Sequence, residues 1–142
     1  MGLGLGLGLM ALDEVQADAA ELEELTGVSI ELALAGIQVF LVLRQVPLPP
    51  KAYRVDTTDV LFITDQQYRM SALDMFWTDL AVLRPDGTIP QNADLIETYV
   101  GRQWRRFSWH RNGRWEPHRN GLVDHYEFMM ARFAIDAPAV TP

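Results

Sequence analysis

The sequence contains no cysteine, and this absence excludes several kinds of chemistry. Without a thiol the protein has no disulfide, no thiolate zinc site and no cysteine nucleophile. Its 12 lysines and arginines are outnumbered by 19 aspartates and glutamates, and the net charge of −7 argues against a general nucleic-acid binder. The three histidines show no spacing typical of a metal site, so we expect neither a metal nor a cofactor.

The first ten residues, MGLGLGLGLM, lack the positively charged start of a signal peptide and are too short to span a bilayer. Alternating leucine and glycine lose more backbone entropy on ordering than burial returns, so we predict a flexible tail over residues 1–10. One domain over residues 11–135 and a frayed tail over residues 136–142 complete the predicted organisation. A cytoplasmic location is the default expectation, and the sequence predicts no contact with a membrane.

The apolar pattern begins and ends with a helix. An amphipathic helix that stops at Gly27 is predicted by residues at helical spacing, namely Leu12, Val15, Ala19 and Leu22. A terminal helix is predicted by a second such set, which follows Asn120 and Gly121 and comprises Leu122, Tyr126, Met129 and Phe133.

Between the helices the pattern favours strands. Residues 28–34 alternate between apolar and polar, which predicts a strand with one buried face. Residues 37–43 are apolar on both faces, as in a central strand. Two further strands are predicted over residues 60–64 and around Phe76. Residues 90–100 have no clean period and are predicted as a loop with at most one helical turn. The chain is therefore predicted to be an α+β domain with helices on one antiparallel meander of about four strands.

Charge is distributed unevenly along the chain. Every charged residue from Asp13 to Glu31 is acidic, whereas six arginines fall close together near the end, at positions 102, 105, 106, 111, 114 and 119. This polarity predicts a basic surface that faces a partner, formed by Arg105, Arg106, Arg111 and Arg114, although the same arginines also fit a solvated face. Arg105 and Arg106 would lie on opposite faces of a strand, so only one of the two can face that partner. The large aromatics of the same stretch, Trp104 and Trp115, are predicted to be core or framing residues.

Several short sequence motifs resemble those of a known protein family. They are VPLPPKAY, DVLFITDQQY, LDMFWTDLAV with DGTIPQ, WRRFSWH, and WEPHRNGLVDHYEFMMARF, and they cover most of the chain from Val28 to Phe133. In this order they resemble the ubiquitin-conjugating enzyme superfamily, and more narrowly its prokaryotic family E. The resemblance implies the fold of that superfamily, and a bacterial protein that accepts the terminal glycine of a ubiquitin-like protein from an activating enzyme. It also implies membership of an operon linked to phage defence.

The chain departs from the family pattern at three places. The expected Tyr-Pro pair is Tyr68-Arg69, and the His-Pro-Asn element of eukaryotic members is only echoed by Pro90-Gln91-Asn92. The cysteine that carries the modifier is missing. Counting back from Trp115 places its position close to Ser108, which is the only nucleophile there.

Ser108 needs activation, because a serine hydroxyl is a weak nucleophile on its own. His110 is the candidate base, although an extended strand holds residues two apart too far for a direct hydrogen bond, so the loop must curl or a bridging group must intervene. Asn112, Asn92 or a backbone amide is the candidate donor to an oxyanion. These residues predict a ubiquitin-like protein transferase with a serine nucleophile, in which an oxyester replaces the thioester.

Two other functions fit the same sequence. Ser108 and His110 are equally compatible with ordinary structural roles, and the chain would then be an inactive adaptor that binds a ubiquitin-like protein without linking to it. The arginines and tryptophans of residues 104–115 also suit stacking on single-stranded nucleic acid, but the net acidity makes this the third choice. His118 and His125 are predicted to be a helix-start and a helix-face residue.

Overall fold

The computed structural model describes residues 3–139, with side chains from residue 12 onward. Two helices flank a six-stranded sheet, and the bounds are α1 Leu3–Thr26, β1 Ser29–Ala35, β2 Gln38–Pro47, β3 Thr57–Asp65, β4 Phe76–Thr78, β5 Leu95–Tyr99, β6 Arg102–Phe107 and α2 Leu122–Ile135. The strands lie in the order β1-β2-β3-β4-β6-β5, and all neighbours are antiparallel. The predicted α+β class is confirmed, with six strands in place of about four.

Helix α1 ends where the sequence predicts, because Gly27 adopts a left-handed conformation with φ +74° and its amide donates to the Glu23 carbonyl at 2.8 Å. The helix begins earlier than predicted, at Leu3, and so includes most of the leucine-glycine segment. A helix that has nucleated extends at low cost, which accounts for the continuous backbone. Residues 1 and 2 lie outside the described part of the chain, and the flexibility of this segment stays a prediction.

The extra strands lie at the far end of the sheet. Residues 95–99, predicted as loop, form the edge strand β5, which pairs with β6 in a register that joins Leu95 to Arg106 and Tyr99 to Arg102. Leu95 and Ile96 are both exposed, so this edge strand has no buried face and leaves no period of two in the sequence. The prediction of a loop here is therefore wrong.

Both helices pack on one face of the sheet. Their buried residues join the inward side chains of β2, β3, β4 and β6 in one core, which contains Val15, Leu22, Leu41, Phe62, Phe76, Phe107, Met129 and Phe133. The opposite face has a smaller cluster of Phe40, Val42, Leu61, Trp77 and Trp104. Trp104 is fully buried, as predicted for a framing residue.

The start of α2 is fixed by a buried network. The Tyr68 hydroxyl donates to Asp18 on α1 at 2.6 Å and accepts the Leu122 amide at 2.9 Å. Arg69 donates to both oxygens of the same carboxylate, at 2.8 and 2.7 Å. This network joins both helices to the loop after β3 and so determines which residues of α2 face the sheet.

The final turn after α2 is described as far as Ala139, and the remainder of the predicted frayed tail lies outside the described residues. Within residues 3–139 no helix has both the length and the apolar character required to cross a bilayer.

Candidate functional site

Ser108 is the first residue after β6, and it lies half-buried. Its amide donates to the Asn92 carbonyl at 2.8 Å, and the indole of Trp109 donates to the Gln91 carbonyl at 3.1 Å. These two bonds hold the turn of residues 90–92 against the end of β6. Asn92 adopts φ +60°, a conformation that asparagine tolerates better than most residues, and the fold thus places it next to Ser108.

The Ser108 hydroxyl oxygen accepts a hydrogen bond from Arg106. The donor is Nε of the guanidinium, at 2.9 Å, and Nη1 of the same group lies 3.2 Å from Glu97 Oε2. A guanidinium only donates, so the hydroxyl hydrogen stays available for an acceptor. A positive charge at this distance also favours negative charge that develops on Oγ. Arg106 therefore contacts Ser108 and Glu97, and its contact with a partner stays a prediction.

His110 lies two residues further along and pairs with a carboxylate. Its Nδ1 atom is 2.9 Å from both oxygens of Asp74, and 68% of the imidazole is exposed. If Nδ1 carries the hydrogen and donates to Asp74, the lone pair of Nε2 is left to accept a proton, which is the arrangement that a general base needs. His110 and Ser108 are not hydrogen-bonded to each other in the described structure.

His125 lies on a face of helix α2, as the sequence predicts, and this face is turned towards the sheet. Its side chain is fully buried between the rings of Phe62 and Phe128. Its Nε2 donates to the Met75 carbonyl at 2.7 Å, while Nδ1 is buried without a partner among the described residues. Burial lowers the pKa of His125 to about 4, so the imidazole is neutral near pH 7.

The contact from His125 reaches the Asp74–His110 pair through one residue. Met75 holds a left-handed backbone with φ +57°, which is strained for a side chain of its kind, and it directly follows Asp74. The hydrogen bond from His125 restrains this backbone and with it the position of the Asp74 carboxylate. The spacing of the buried residues of α2 at positions 122, 125, 129 and 133 could have identified His125 as an inward-facing residue.

The predicted basic surface is divided by the fold. Arg105 is only 8% exposed, and its guanidinium donates to the backbone carbonyls of Leu80 and Ala93. The strand thus directs the Arg105 side chain inward, in keeping with the expectation that only one of Arg105 and Arg106 faces a partner. Arg111 is half-buried, whereas Arg114 and Asn112 are exposed on the loop between β6 and α2. The amide side chains of Asn92 and Asn112 make no hydrogen bond within the described residues.

These groups suit acyl transfer better than metal chemistry. A hydroxyl, a paired histidine and a free asparagine amide lie on adjoining segments after β6 and before β5. Across residues 3–139, no three histidine, aspartate or glutamate side chains are grouped closely enough to hold a metal ion.

Comparison with known proteins gives one match. The model of a family described as prokaryotic E2 family E matches residues 15–135, which is most of the chain. No curated protein and no solved structure matches the chain.

Proposed function

Because this chain belongs to prokaryotic E2 family E, which supports a ubiquitin-conjugating-like role, we propose that it carries a ubiquitin-like protein as an ester on Ser108. The family implies contact with ubiquitin-like proteins and activating enzymes in general. The observation that supports the serine most directly is the half-buried hydroxyl at the end of β6, with a guanidinium 2.9 Å from its oxygen.

The proposed first step is a transfer from sulfur to oxygen. Ser108 Oγ attacks the carbonyl carbon of the terminal glycine, which the activating enzyme presents as a thioester. The new C–O bond forms, the C–S bond breaks, and the proton of the hydroxyl passes to His110 and then to the leaving thiolate. The Asp74 carboxylate stabilises the imidazolium that forms in between, and the Asn92 amide is the candidate donor to the oxyanion.

In the second step an amine of the target attacks the ester. The C–N bond forms, the C–O bond breaks, and the proton that the attacking amine loses passes to the Ser108 oxygen. An oxyester reacts more slowly with amines than a thioester does, so we expect slow transfer unless a partner activates the ester. We also propose that the protein acts in the bacterial cytoplasm in a defence against phage, which a plating assay with the Ser108→Ala variant tests.

The deciding experiment is an adduct assay with the cognate activating enzyme, the modifier and ATP. The wild-type chain should form an adduct that resists thiol reductant and is cleaved by hydroxylamine or mild alkali. Ser108→Ala should abolish the adduct, while Ser29→Ala, at an exposed serine on β1, serves as the matched control and should leave it unchanged. Ser108→Cys should form an adduct that thiol reductant now cleaves.

An adduct that survives Ser108→Ala would refute the assignment of the nucleophile. Binding of the modifier to the wild-type chain without any adduct would instead favour the inactive adaptor. Salt-sensitive binding of single-stranded nucleic acid, without either of these results, would favour the third function.

A further inference from the structure

Two arginines that the proposed chemistry does not use line one open pocket. Arg111 lies on the loop after β6 and Arg132 on the last turns of α2, and the pocket between them has a volume of about 360 Å³. We call it the two-arginine pocket, and its lining comprises Arg111, Asn112, Phe128, Ala131, Arg132 and Ile135. It combines two cationic groups with an apolar wall and contains no acidic residue.

Each guanidinium of the pocket is supported by a tryptophan. The Cζ atom of Arg132 lies 4.1 Å from the ring centroid of Trp109, and that of Arg111 lies 5.2 Å from the ring centroid of Trp115. Such cation–π contacts use the flat face of a guanidinium and leave the N–H groups at its edge for another partner. The tryptophans thus restrict both arginines without satisfying their hydrogen bonds.

Among the described residues, no carboxylate pairs with either of these arginines. Within the described residues neither forms a salt bridge, whereas carboxylate partners are found for other arginines of the chain, among them Arg44, Arg69, Arg102 and Arg106. The Nη1 atom of Arg111 is buried and has no acceptor in the part of the chain that the structure describes. In a chain with 19 acidic residues, two uncompensated cations beside one pocket indicate a site for an anion that the protein does not itself supply.

We propose that the two-arginine pocket binds an acidic side chain in a peptide segment of a protein partner. The edge of a guanidinium matches the two oxygens of a carboxylate, and the wall of Phe128, Ala131 and Ile135 packs against the aliphatic stem of that side chain. The volume accommodates one or two side chains and is too small for a folded element. The net charge of −7 repels a polyanion such as nucleic acid at long range, and this favours a single carboxylate.

The test is a titration of the full chain with acetyl-Leu-Glu-Leu-amide and with the matched neutral peptide acetyl-Leu-Gln-Leu-amide. The glutamate peptide should shift the Nε–H resonances of Arg111 and Arg132 in the NMR spectrum, and the glutamine peptide should not. Arg111→Gln and Arg132→Gln should each weaken binding by about tenfold or more, the loss expected for one charge-assisted hydrogen-bonded pair. Arg119→Gln removes the same charge from an exposed position and should leave binding unchanged.

Three results would overturn the proposal. They are equal binding of the two peptides, an equal loss of binding in Arg119→Gln, and tighter binding of inorganic phosphate or a deoxythymidine decamer than of the glutamate peptide. If a variant fails to fold, the shifts of the Arg111 and Arg132 resonances in the wild-type chain still show whether the glutamate peptide binds at the pocket. No activating enzyme is present in the titration, so its outcome is independent of whether Ser108 carries an ester.

Discussion

At the start of β6, Arg102 is surrounded by carboxylates, whereas after its end Arg111 meets none in the described structure. Arg102 donates to Asp59 at 2.9 Å and also to Asp79. Arg44 adds a second cation 3.2 Å from Asp59. We call this group the paired end of β6, because each of its charges has an opposite charge within the protein.

The open end of β6, by contrast, consists of Ser108, His110 and Arg111 and keeps unused capacity. The Ser108 hydroxyl hydrogen and the guanidinium edge of Arg111 have no acceptor within the described residues, and Nε2 of His110 has no partner there either. A site that only holds the fold together satisfies its polar groups internally, whereas a site that acts on a ligand keeps donors and acceptors for it. Both ends contain an arginine, and the two arginines differ in what the fold places opposite them.

The largest expected difference between the two ends concerns His110. If His110 is the base at the open end, His110→Gln should slow formation of the Ser108 adduct by about 10²–10⁴-fold, the usual contribution of general-base catalysis. Its side chain is exposed, so the free energy of unfolding should change by less than about 0.5 kcal/mol. The rate is measured in the adduct assay and the stability by urea unfolding.

His118→Gln is the matched control, because His118 is an exposed histidine on the same loop. If His110→Gln forms the Ser108 adduct at the wild-type rate, His110 is not the general base.

The second prediction concerns the stability of the protein at low pH, which depends on the buried His125. The unfolded chain binds a proton at this histidine near pH 6.5 and the folded chain only near pH 4, so the unfolded state holds more protons between these values. Stability should therefore fall as the pH drops from about 6.5 to 4, with about 3 kcal/mol attributable to His125. Urea unfolding at a series of pH values measures this dependence.

His125→Gln is the sharpest comparison, since glutamine keeps a donor for the Met75 carbonyl and does not titrate. The fall in stability over this pH range should be shallower in the variant. An identical pH dependence in both proteins would show that folding does not lower the pKa of His125.

The third effect is confined to the paired end. Asp59 accepts hydrogen bonds from Arg102 and from the Gln45 amide at 3.0 Å, and it forms an ion pair with Arg44 at 3.2 Å. Burial by itself would raise the pKa of this carboxyl, but these hydrogen bonds and charges outweigh burial and hold the pKa below its usual value. Its contribution to stability is thus present above the unfolded pKa and is lost as the pH falls through the folded one.

Asp59→Asn should lower the free energy of unfolding by about 2 kcal/mol, because Arg44 and Arg102 lose the carboxylate with which both are paired. Arg44→Gln should cost only about 0.5 kcal/mol, since Arg44 is half exposed and Asp59 retains Arg102. Neither variant should alter the adduct or the binding of the glutamate peptide. An effect of Asp59→Asn on adduct formation would mean that the two ends of β6 are coupled.

The correctly predicted helices and strands show which parts of the fold are specified by the local sequence pattern. Helix α2 and the strands β1 to β3 were expected within a few residues of their observed bounds, because each has a buried side that repeats at the period of a helix or a strand. Strand β5 was missed, because an exposed edge strand has no such repeat and is held by its pairing with β6. His125 was placed on a helix face, but its burial was not predicted, because Tyr126 fits the apolar face of the helix almost equally well.

The candidate site divides in the same way. Ser108, His110 and Asn92 were named from the sequence, and the fold places Asn92 beside Ser108. The sequence did not reveal that Asp74 pairs with His110, that Arg106 contacts the hydroxyl, or that Arg111 and Arg132 share a pocket. Each of these contacts depends on how loops and strands distant in the chain are brought together.

The sequence by itself therefore determined the class of fold and the family, since composition, periodicity and the order of the sequence motifs are properties of the chain alone. The tertiary structure alone decided that Arg105 points inward, that His125 is buried and neutral, and that Asp74 meets His110 across 36 positions of the chain. The physical reason is that a local pattern specifies which face of an element is apolar. The path of the loops and the order of the strands in the sheet then decide which polar groups meet.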